Sequence, residues 1–389
     1  MKKIGILTYH YSINEGAMLQ AYALQEVCKK TFPNAQVEMV NYESFNAKKR
    51  DFINCFNQPR TKKSTLAQLK RIQSLSRFKE SHFSFSGKRL VTDDYEKSVQ
   101  FINAQNYDGI IVGSDEVWKI ILGKNAVRKF PNVYWMNDKL QAKKFSYAAS
   151  ANKTDYKNLD SKYKEFVQQS LESYSLIGVR DQFTNVMVRD FLPKTDNVFK
   201  VIDPTLLMEF EQKPIEEKLR QRGFDFNKST VVLNLENPKV SSAAAQFFKN
   251  RGWQVISLTA YCDYADINFV DTLDPLEWAS LIARCQFSVT SRFHGIIFSI
   301  HGKVPFLAIE KNAKFDYFKT SKLHSLLEDL QFRENLFIYK SQDFSEEALY
   351  EKLEHSLKNT DFSHVNQTIK LHRNYGLAYI QKVGAILGI

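Results

Sequence analysis

Short apolar runs alternate with amphipathic stretches along most of the chain. The run from Lys3 to Tyr9 predicts a strand, and Ala17 to Lys30 follows with apolar residues at helical spacing. Gln36 to Tyr42 predicts a second strand, so the chain opens with a β-loop-α-β unit. Such a unit is typical of a doubly wound sheet, whose ligands bind at the carboxyl ends of its strands.

The same alternation continues in two series. The first predicts strands at 108–112, 144–149, 176–179 and 198–202, and helices near 159–173 and 181–191. The second predicts strands at 230–235, 254–258, 267–270, 287–290 and 304–309, and helices near 240–250, 275–284 and from 293 onward. We therefore predict an α/β fold of two Rossmann-like doubly wound domains, at 1–205 and 206–360. A C-terminal helix at 361–389 is expected to pack back on the first domain.

The amino-acid composition indicates that the chain can form packed cores, and it favours anionic partners. Of the 389 residues, 43% are hydrophobic, which argues against bulk disorder. The net charge of +11 favours phosphorylated molecules, acidic glycans, a membrane surface or nucleic acid. The cysteines have no paired spacing, and no histidine or carboxylate motif with metal-ligand spacing accompanies them, so we predict no metal site. The absence of a signal-peptide pattern and of any long apolar run predicts a cytoplasmic protein.

One segment, residues 48–89, differs from the rest. It holds twelve basic residues against two acidic ones, with phenylalanines interleaved. One interpretation is a solvated insertion on the sheet edge of the first domain. The other is a basic flap over an anionic substrate or over lipid headgroups, which would give peripheral contact at the inner face of the membrane. Nucleic acid is not favoured, because no recognisable RNA- or DNA-binding motif accompanies the segment.

The most informative stretch is VTSRFHGI, residues 289–296. Its strand ends at Thr290 and a helix follows, so Ser291, Arg292 and His294 lie at a strand-to-helix turn. A helix N-terminus offers amide N–H groups and partial positive charge, and a guanidinium binds carboxylate or phosphate through paired hydrogen bonds. An imidazole can carry a proton near neutral pH. The turn is a candidate oxyanion receptor; the alternative is a capping serine, a surface arginine and a core histidine.

A second candidate is SINEG, residues 12–16, which follows the first strand. Asn14 and Gly16 can shape a loop that lets a ligand approach the helix beginning at Ala17. The stretch is not a GxGxxG fingerprint, so it does not predict NAD or FAD binding. An ordinary turn without a ligand is the alternative.

The third candidate is VGSDEVW, residues 112–118, after another apolar strand. Asp115 and Glu116 offer carboxylates that can accept a hydroxyl proton, and the indole of Trp118 suits the face of a sugar ring. The alternative makes Asp115 a helix cap and Trp118 a core residue.

Two further polar positions follow strands. Arg180 comes directly after the strand at 176–179 and can either face a ligand or form a structural salt bridge in its turn. Asp203 and Pro204 predict a rigid turn between the two halves.

In their order and spacing, these motifs resemble the polysaccharide pyruvyl transferase family. The resemblance is carried by KIGILTYHYSINEGAMLQAYALQ, DGIIVGSDEVW, GVRDQFT, VIDPTLL and FSVTSRFHGIIFSIHGKVPFLAI. It runs from residue 3 to about 310, and the opening motif and SRFHG are its most specific parts. Glu15 and Met18 stand where members often have an aromatic residue and a valine, and the segment 48–89 matches nothing in the family.

The resemblance implies a glycosyltransferase-B-like pair of Rossmann-like domains facing a cleft. It also implies transfer of a pyruvyl group from phosphoenolpyruvate onto two hydroxyls of a sugar, with this co-substrate and no cofactor. Donor binding falls to Arg292 and His294, with Ser291 and Gly295 of the same turn and Arg180 as a second cation. His294 would also be the acid, because a neighbouring phosphate stabilises a protonated imidazole.

On the acceptor side, the resemblance leaves the base to be chosen among the carboxylates. Asp115 is the predicted base, with Glu116 as the reserve. Asn14, Gly16, Glu116 and Trp118 are predicted to line the acceptor. The acceptor would be a cell-surface polysaccharide or a lipid-linked glycan. Two alternatives remain: a nucleotide-sugar glycosyltransferase of the same architecture, and a non-catalytic protein that binds acidic glycans.

Overall fold

The chain forms two compact units. The computed structural model of the protein describes residues 1–57, 62–123, 126, 128–258, 260–311, 321–340 and 343–389. Unit 1 comprises Met1–Cys55, Lys79–Met208 and Lys370–Ile389, and unit 2 comprises Phe56–Phe78 and Glu209–Ile369. Arg60 of the basic segment lies outside the described residues.

Unit 1 is built on a parallel six-stranded sheet. The strands up to residue 200 are β1 (Lys3–Leu7), β2 (Gln36–Met39), β3 (Tyr42–Glu43), β4 (Leu90–Val91), β5 (Gly109–Asp115), β6 (Lys143–Ala149), β7 (Tyr174–Val179) and β8 (Val198–Lys200). The sheet has the order β2-β1-β5-β6-β7-β8, while β3 and β4 pair with each other. Most residues of its strands are buried and apolar, as expected for a parallel sheet covered on both faces.

Helices connect these strands. Up to residue 191 they are α1 (Glu15–Thr31), α2 (Phe45–Asn57), α3 (Lys62–His82), α4 (Tyr95–Asn103), α5 (Ser161–Glu172) and α6 (Gln182–Phe191). Side-chain caps fix several of their starts: Asn14, Asp94 and Asp181 each accept a hydrogen bond from a backbone N–H in the first turn. Two of these helices, α1 and α6, therefore begin within two residues of the candidate residues Asn14 and Arg180.

Unit 2 repeats the architecture. Its strands are β9 (Thr230–Asn234), β10 (Gln254–Ser257), β11 (Ile267–Asn268), β12 (Phe287–Thr290), β13 (Phe306–Lys311) and β14 (Leu336–Tyr339). The helices after residue 208 are α7 (Glu216–Arg220), α8 (Pro238–Lys249), α9 (Pro275–Ile282), α10 (Phe293–His301), α11 (Lys322–Asp329), α12 (Glu346–Asn359) and α13 (Val365–Leu387). The sheet order β11-β10-β9-β12-β13-β14 is the Rossmann order. The two units confirm the predicted pair of Rossmann-like α/β domains.

The end of the chain belongs to unit 1. From Lys370 onward α13 is counted with that unit. The Tyr379 hydroxyl donates a hydrogen bond to the Ser146 carbonyl at 2.6 Å, and Lys143 Nζ donates to the Ile386 carbonyl at 2.7 Å. Within the described ranges, no helix combines the length and the apolar character needed to cross a bilayer.

The basic segment is mostly helical, a feature that neither sequence interpretation specified. It forms α2 and α3, and the boundary between the units falls within α3, after Phe78. Residues 56–78 are therefore counted with unit 2, and the rest of the segment is counted with unit 1. Phe78 and Phe83 are buried, so part of the segment contributes to packed cores.

Three cations of this segment surround one buried carboxylate. Glu43 is completely buried, and its carboxylate lies 2.6 Å from Arg89, 2.7 Å from Lys48 and 3.3 Å from Lys79. Burial alone would raise the pKa of Glu43, but hydrogen bonds from Arg89 and Lys48 and the charge of Lys79 outweigh it and lower the pKa to about 2. The charge of the segment thus serves in part to compensate this acid.

Replacing Glu43 by glutamine is expected to destabilise the protein by about 3 kcal/mol at neutral pH, because the three cations lose their common partner. The folded-state pKa of about 2 lies below the ordinary 4.5, so the stabilisation is present above pH 4.5 and is lost as the pH falls towards 2. Urea unfolding of the full chain across this range measures both effects.

The matched control is Glu96→Gln, which removes an exposed carboxylate paired with Lys139. It should change the unfolding free energy by less than about 1 kcal/mol. Equal losses in the two variants, or an unchanged acid dependence in Glu43→Gln, would contradict the role assigned to the buried carboxylate.

Candidate functional site

The carboxyl ends of β9 and β12 form the switch point of unit 2. These strands are neighbours, and the strand order runs outward from them in opposite directions. Loops that leave such a pair diverge and open a crevice, which is where open α/β sheets bind ligands. The predicted residues Ser291, Arg292, His294 and Gly295 all follow β12 at this point. The structure therefore brings these four together at the end of one strand.

Gly295 allows α10 to begin directly against the strand ends. A Cβ atom at this position would lie 2.2 Å from Thr290 Oγ1 and 2.8 Å from Asn234 Nδ2. Thr290 and Asn234 are register partners at the ends of β12 and β9. Thr290 Oγ1 also accepts a hydrogen bond from the Arg292 amide at 3.0 Å. A larger residue at 295 would push the helix N-terminus away from the sheet.

Arg292 is the N-cap residue of α10, and its side chain does not cap the helix. The guanidinium instead reaches across to the loop after β9, where Nη2 lies 2.5 Å from Glu236 Oε1. Both side chains of this ion pair are partly exposed. The helix N-terminus and a partly exposed guanidinium thus occur at the same turn, a combination suited to oxyanions.

Two further polar groups lie in this turn. His294 is buried in the first turn of α10, with its ring centroid 5.3 Å from that of Phe293. The Ser291 hydroxyl oxygen is buried, and among the described residues it has no hydrogen-bond partner. A buried hydroxyl without a partner is costly unless a ligand or water pairs with it. The turn therefore contains a donor that a bound anion could use.

Unit 1 has its own switch point, between β1 and β5. Asn14 follows β1, caps α1 by accepting a hydrogen bond from the Ala17 amide at 3.1 Å, and precedes the buried Gly16. Asp115 is the last residue of β5. The structure thus places the two sequence motifs of this half on adjacent strands, as the parallel sheet requires.

Asp115 belongs to a charged cluster centred on Arg180. Arg180 Nη2 is 3.6 Å from Asp115 Oδ1, and Arg180 Nη1 is 3.1 Å from Asp203 Oδ2. Burial alone would lower the pKa of the Arg180 guanidinium, but the carboxylates of Asp115 and Asp203 outweigh burial and raise it. Asp115 also has a φ of 79°, a left-handed conformation that is strained for a residue other than glycine. Such strain is found most often at functional positions.

A hydrogen-bonded network supports this strand end. The Ser114 hydroxyl donates to Gln20 Oε1 at 2.8 Å, and Gln20 Nε2 donates to Thr8 Oγ1 at 3.0 Å. All three residues are buried. The network joins the loop after β1 to the end of β5 through α1. Sequence reasoning did not identify it, because Gln20 is within a helix whose other buried residues are mostly apolar.

Glu116 and Trp118 differ in what they can offer a ligand. The Glu116 carboxylate is held by Asn152 Nδ2 at 2.6 Å and by Lys119 Nζ at 3.1 Å, and it stays partly exposed. Trp118 is completely buried, stacks on Trp135 with a centroid distance of 5.2 Å and donates its indole N–H to a backbone carbonyl. Its faces are covered by protein, so the predicted sugar platform is wrong and Trp118 is a core residue.

Arg180 and the other predicted donor residues belong to different units. Arg180 belongs to unit 1, whereas residues 291–295 belong to unit 2. Its buried ion pairs with Asp115 and Asp203 match the salt-bridge alternative for this position. A role of Arg180 as a second cation for the donor stays a prediction.

Sequence reasoning missed Glu236 as a site residue. It directly follows the predicted strand at 230–235, and a polar residue after a predicted strand is the signal that identified the other candidates. Among the described residues, no group of three or more histidine, cysteine, aspartate or glutamate side chains is arranged to hold a metal ion.

Comparison with known proteins assigns a family and supports the fold. The family model for polysaccharide pyruvyl transferase matches residues 14–312. No curated protein matches the sequence. UDP-GlcNAc 2-epimerase from Neisseria meningitidis bound to UDP-GlcNAc is similar in structure, with a TM-score of 0.56 and 9% identity over 100% of this chain and 99% of that one.

The S. aureus MnaA-UDP co-structure gives a TM-score of 0.55 with 10% identity, over 99% of this chain and 96% of that one. The UDP-GlcNAc 2-epimerase from Methanocaldococcus jannaschii gives 0.53 with 11% identity, over 96% of this chain and 99% of that one. At these identities the likeness concerns the fold alone, which is glycosyltransferase-B-like.

Proposed function

The chain belongs to the polysaccharide pyruvyl transferase family, and from this premise we propose that it transfers a pyruvyl group from phosphoenolpyruvate to a saccharide. The product would be a ketal on two hydroxyls of an exopolysaccharide or of a lipid-linked glycan sugar. Phosphoenolpyruvate is a co-substrate in this proposal, and no cofactor takes part.

One observation carries the proposal: Arg292 and His294 flank the start of α10 at the switch point of unit 2. Phosphoenolpyruvate has a carboxylate and a phosphate, and it therefore needs more than one positive or N–H-rich group. The Arg292 guanidinium can bind one oxyanion through two parallel hydrogen bonds. The helix N-terminus, with the Ser291 hydroxyl, can bind the other.

His294 is assigned the acid and Asp115 the base. His294 delivers a proton to the terminal carbon of the enol, which makes C2 electrophilic. A sugar hydroxyl forms a bond to C2 while Asp115 accepts its proton. The bond from C2 to the phosphate oxygen then breaks, and a second hydroxyl closes the ketal and gives its proton to the departing phosphate. One diol and one phosphoenolpyruvate thus yield one ketal and one inorganic phosphate.

The acceptor side is assigned to unit 1. Asp115 is held by Arg180 and presents a partly exposed carboxylate at the end of β5. Glu116, Asn14 and Gly16 are assigned to contacts with the sugar, since they follow β5 and β1 at the switch point of this unit. Asp203 is assigned as a positioning residue, because its carboxylate pairs with Arg180, which in turn pairs with Asp115.

The test combines ligand binding with turnover. The full chain is heated with phosphoenolpyruvate, inorganic phosphate or UDP-GlcNAc, and phosphate release is then measured with saccharides that carry two neighbouring free hydroxyls. We expect stabilisation by phosphoenolpyruvate and acceptor-dependent phosphate release. Stabilisation by UDP-GlcNAc alone would indicate a nucleotide-sugar glycosyltransferase. Glycan binding without phosphate release from any donor would indicate a non-catalytic glycan-binding protein.

A further inference from the structure

The exposed face of α2 combines apolar and basic side chains. Phe45, Phe52 and Ile53 are 55%, 50% and 40% exposed, and Lys49 and Arg50 are exposed beside them. Four of them have helical spacing, with intervals of four, three and one residues: Phe45, Lys49, Phe52 and Ile53. Residues at this spacing project from one side of a helix. We name these five residues the α2 face.

The other side of α2 anchors the helix to unit 1. Ala47 is completely buried. Asp51, the acidic residue of the helix, has a carboxylate that accepts hydrogen bonds from the Ser12 hydroxyl and the Ile13 amide. The helix is thus held by its inner side, and its one acidic side chain is turned towards the loop after β1.

Positive charge is concentrated next to the α2 face. Lys48, Lys79 and Arg89 surround the single carboxylate of Glu43, which lies two residues before Phe45. The Asp93 carboxylate also lies there and accepts a hydrogen bond from the Asn46 amide at 2.8 Å, so three cations against two acids leave an excess of one positive charge. Lys48 and Arg89 remain about half-exposed, so this excess is presented to solvent. Together with Lys49 and Arg50, it gives the apolar surface a cationic border.

We propose that the α2 face docks unit 1 on the surface of an anionic lipid bilayer. Exposed apolar side chains that cluster on one face mark an interaction surface. Aromatic side chains insert at the level of the headgroups, and lysine and arginine beside them bind lipid phosphates, which is how interfacial helices are held. This docking does not depend on the reaction proposed above.

The experiment is flotation of the full chain with vesicles of phosphatidylcholine, alone or mixed with phosphatidylglycerol. We expect binding to the anionic vesicles and weak binding to the neutral ones. Changing Lys49 and Arg50 together to glutamine should weaken the partition by about thirtyfold, since each cation contributes about fivefold. Changing Phe45, Phe52 and Ile53 together to serine should weaken it at least as much. Circular dichroism checks that both variants remain folded.

A matched control removes exposed apolar groups elsewhere in the same unit. Leu371 and Tyr375 of α13 are also exposed, and changing both to serine should leave vesicle binding as it is in the unmodified chain. Equal binding to neutral vesicles, or undiminished binding of both α2 variants, would overturn the proposal.

Two other outcomes would replace the proposal by a different one. Binding of a single-stranded oligonucleotide, lost in the same variants while vesicles are not bound, would make the α2 face a nucleic-acid surface. Self-association lost in the serine variant, without vesicle binding, would make it a contact between copies. Phosphate release onto a soluble saccharide is measured separately, so its failure would bear on the proposed reaction and not on docking.

Discussion

Replacing His294 with glutamine is expected to lower kcat for phosphate release from phosphoenolpyruvate by about 10²- to 10⁴-fold. The donor Kd should change little, because the imidazole is assigned proton transfer and the oxyanions are assigned to Arg292 and the helix N-terminus. Glutamine keeps a hydrogen-bonding side chain of similar length but cannot deliver a proton. Single-turnover phosphate release and direct titration of phosphoenolpyruvate separate the two quantities.

The control for this variant is His301→Gln, at the other end of α10. His301 stacks on Phe298 with a centroid distance of 5.7 Å, so it shares the helix but not the turn at its start. We expect its kcat to remain within a few-fold of the unmodified protein. If His294→Gln keeps full turnover, the acid is another group and the proposed chemistry at α10 is wrong.

Replacing Arg292 with alanine should raise the Kd for phosphoenolpyruvate by about a hundredfold, because a charge-assisted pair of hydrogen bonds is lost. Arg292→Lys keeps the charge but not the planar fork, and it should fall between alanine and the unmodified protein. Isothermal titration with phosphoenolpyruvate, and with inorganic phosphate as a smaller probe, measures the order of the three affinities.

Arg222 provides the matched control. It also lies in unit 2, is exposed to a similar extent and pairs with Asp271 at 2.9 Å. Arg222→Ala removes the same charge without touching the turn after β12, and the Kd should stay within about twofold. Comparable losses in Arg222→Ala and Arg292→Ala would mean that the donor responds only to overall charge, which would contradict a specific site at α10.

The strands of both units could be predicted because they are short apolar runs bounded by polar turns. The run from Lys3 to Tyr9 and the observed β1, Lys3–Leu7, differ only at the end. By contrast, α2 and α3 were not predicted, since their apolar residues are few and many lie on exposed positions. β14 (Leu336–Tyr339) was also missed, because a run of four apolar residues does not by itself distinguish a strand from a core helix.

The candidate site likewise has a part that the sequence predicts and a part that it does not. The turn at 291–295 could be predicted because its residues are consecutive and their position follows from a strand-to-helix pattern. The partners could not: Arg180 pairs with Asp203 across 23 residues, and Arg292 pairs with Glu236 across 56. Such pairs depend on which strands become neighbours. Trp118 was predicted wrongly for a different reason. In the sequence, an aromatic residue near a strand end gives the same pattern whether its side chain contacts a sugar or packs in the core.

The ion pair between Arg292 and Glu236 has a consequence for anion selectivity. Any incoming anion must compete with a carboxylate that is tethered beside the guanidinium, and a tether gives that carboxylate a high effective concentration. Chloride and other monovalent anions offer the guanidinium a single charge, so the binding free energy they gain is too small to displace the Glu236 carboxylate. A ligand that also engages the helix N-terminus with a second charged group has the advantage of bivalency. The intramolecular competitor therefore discriminates against the abundant small ions of the medium and leaves the guanidinium to multivalent ligands.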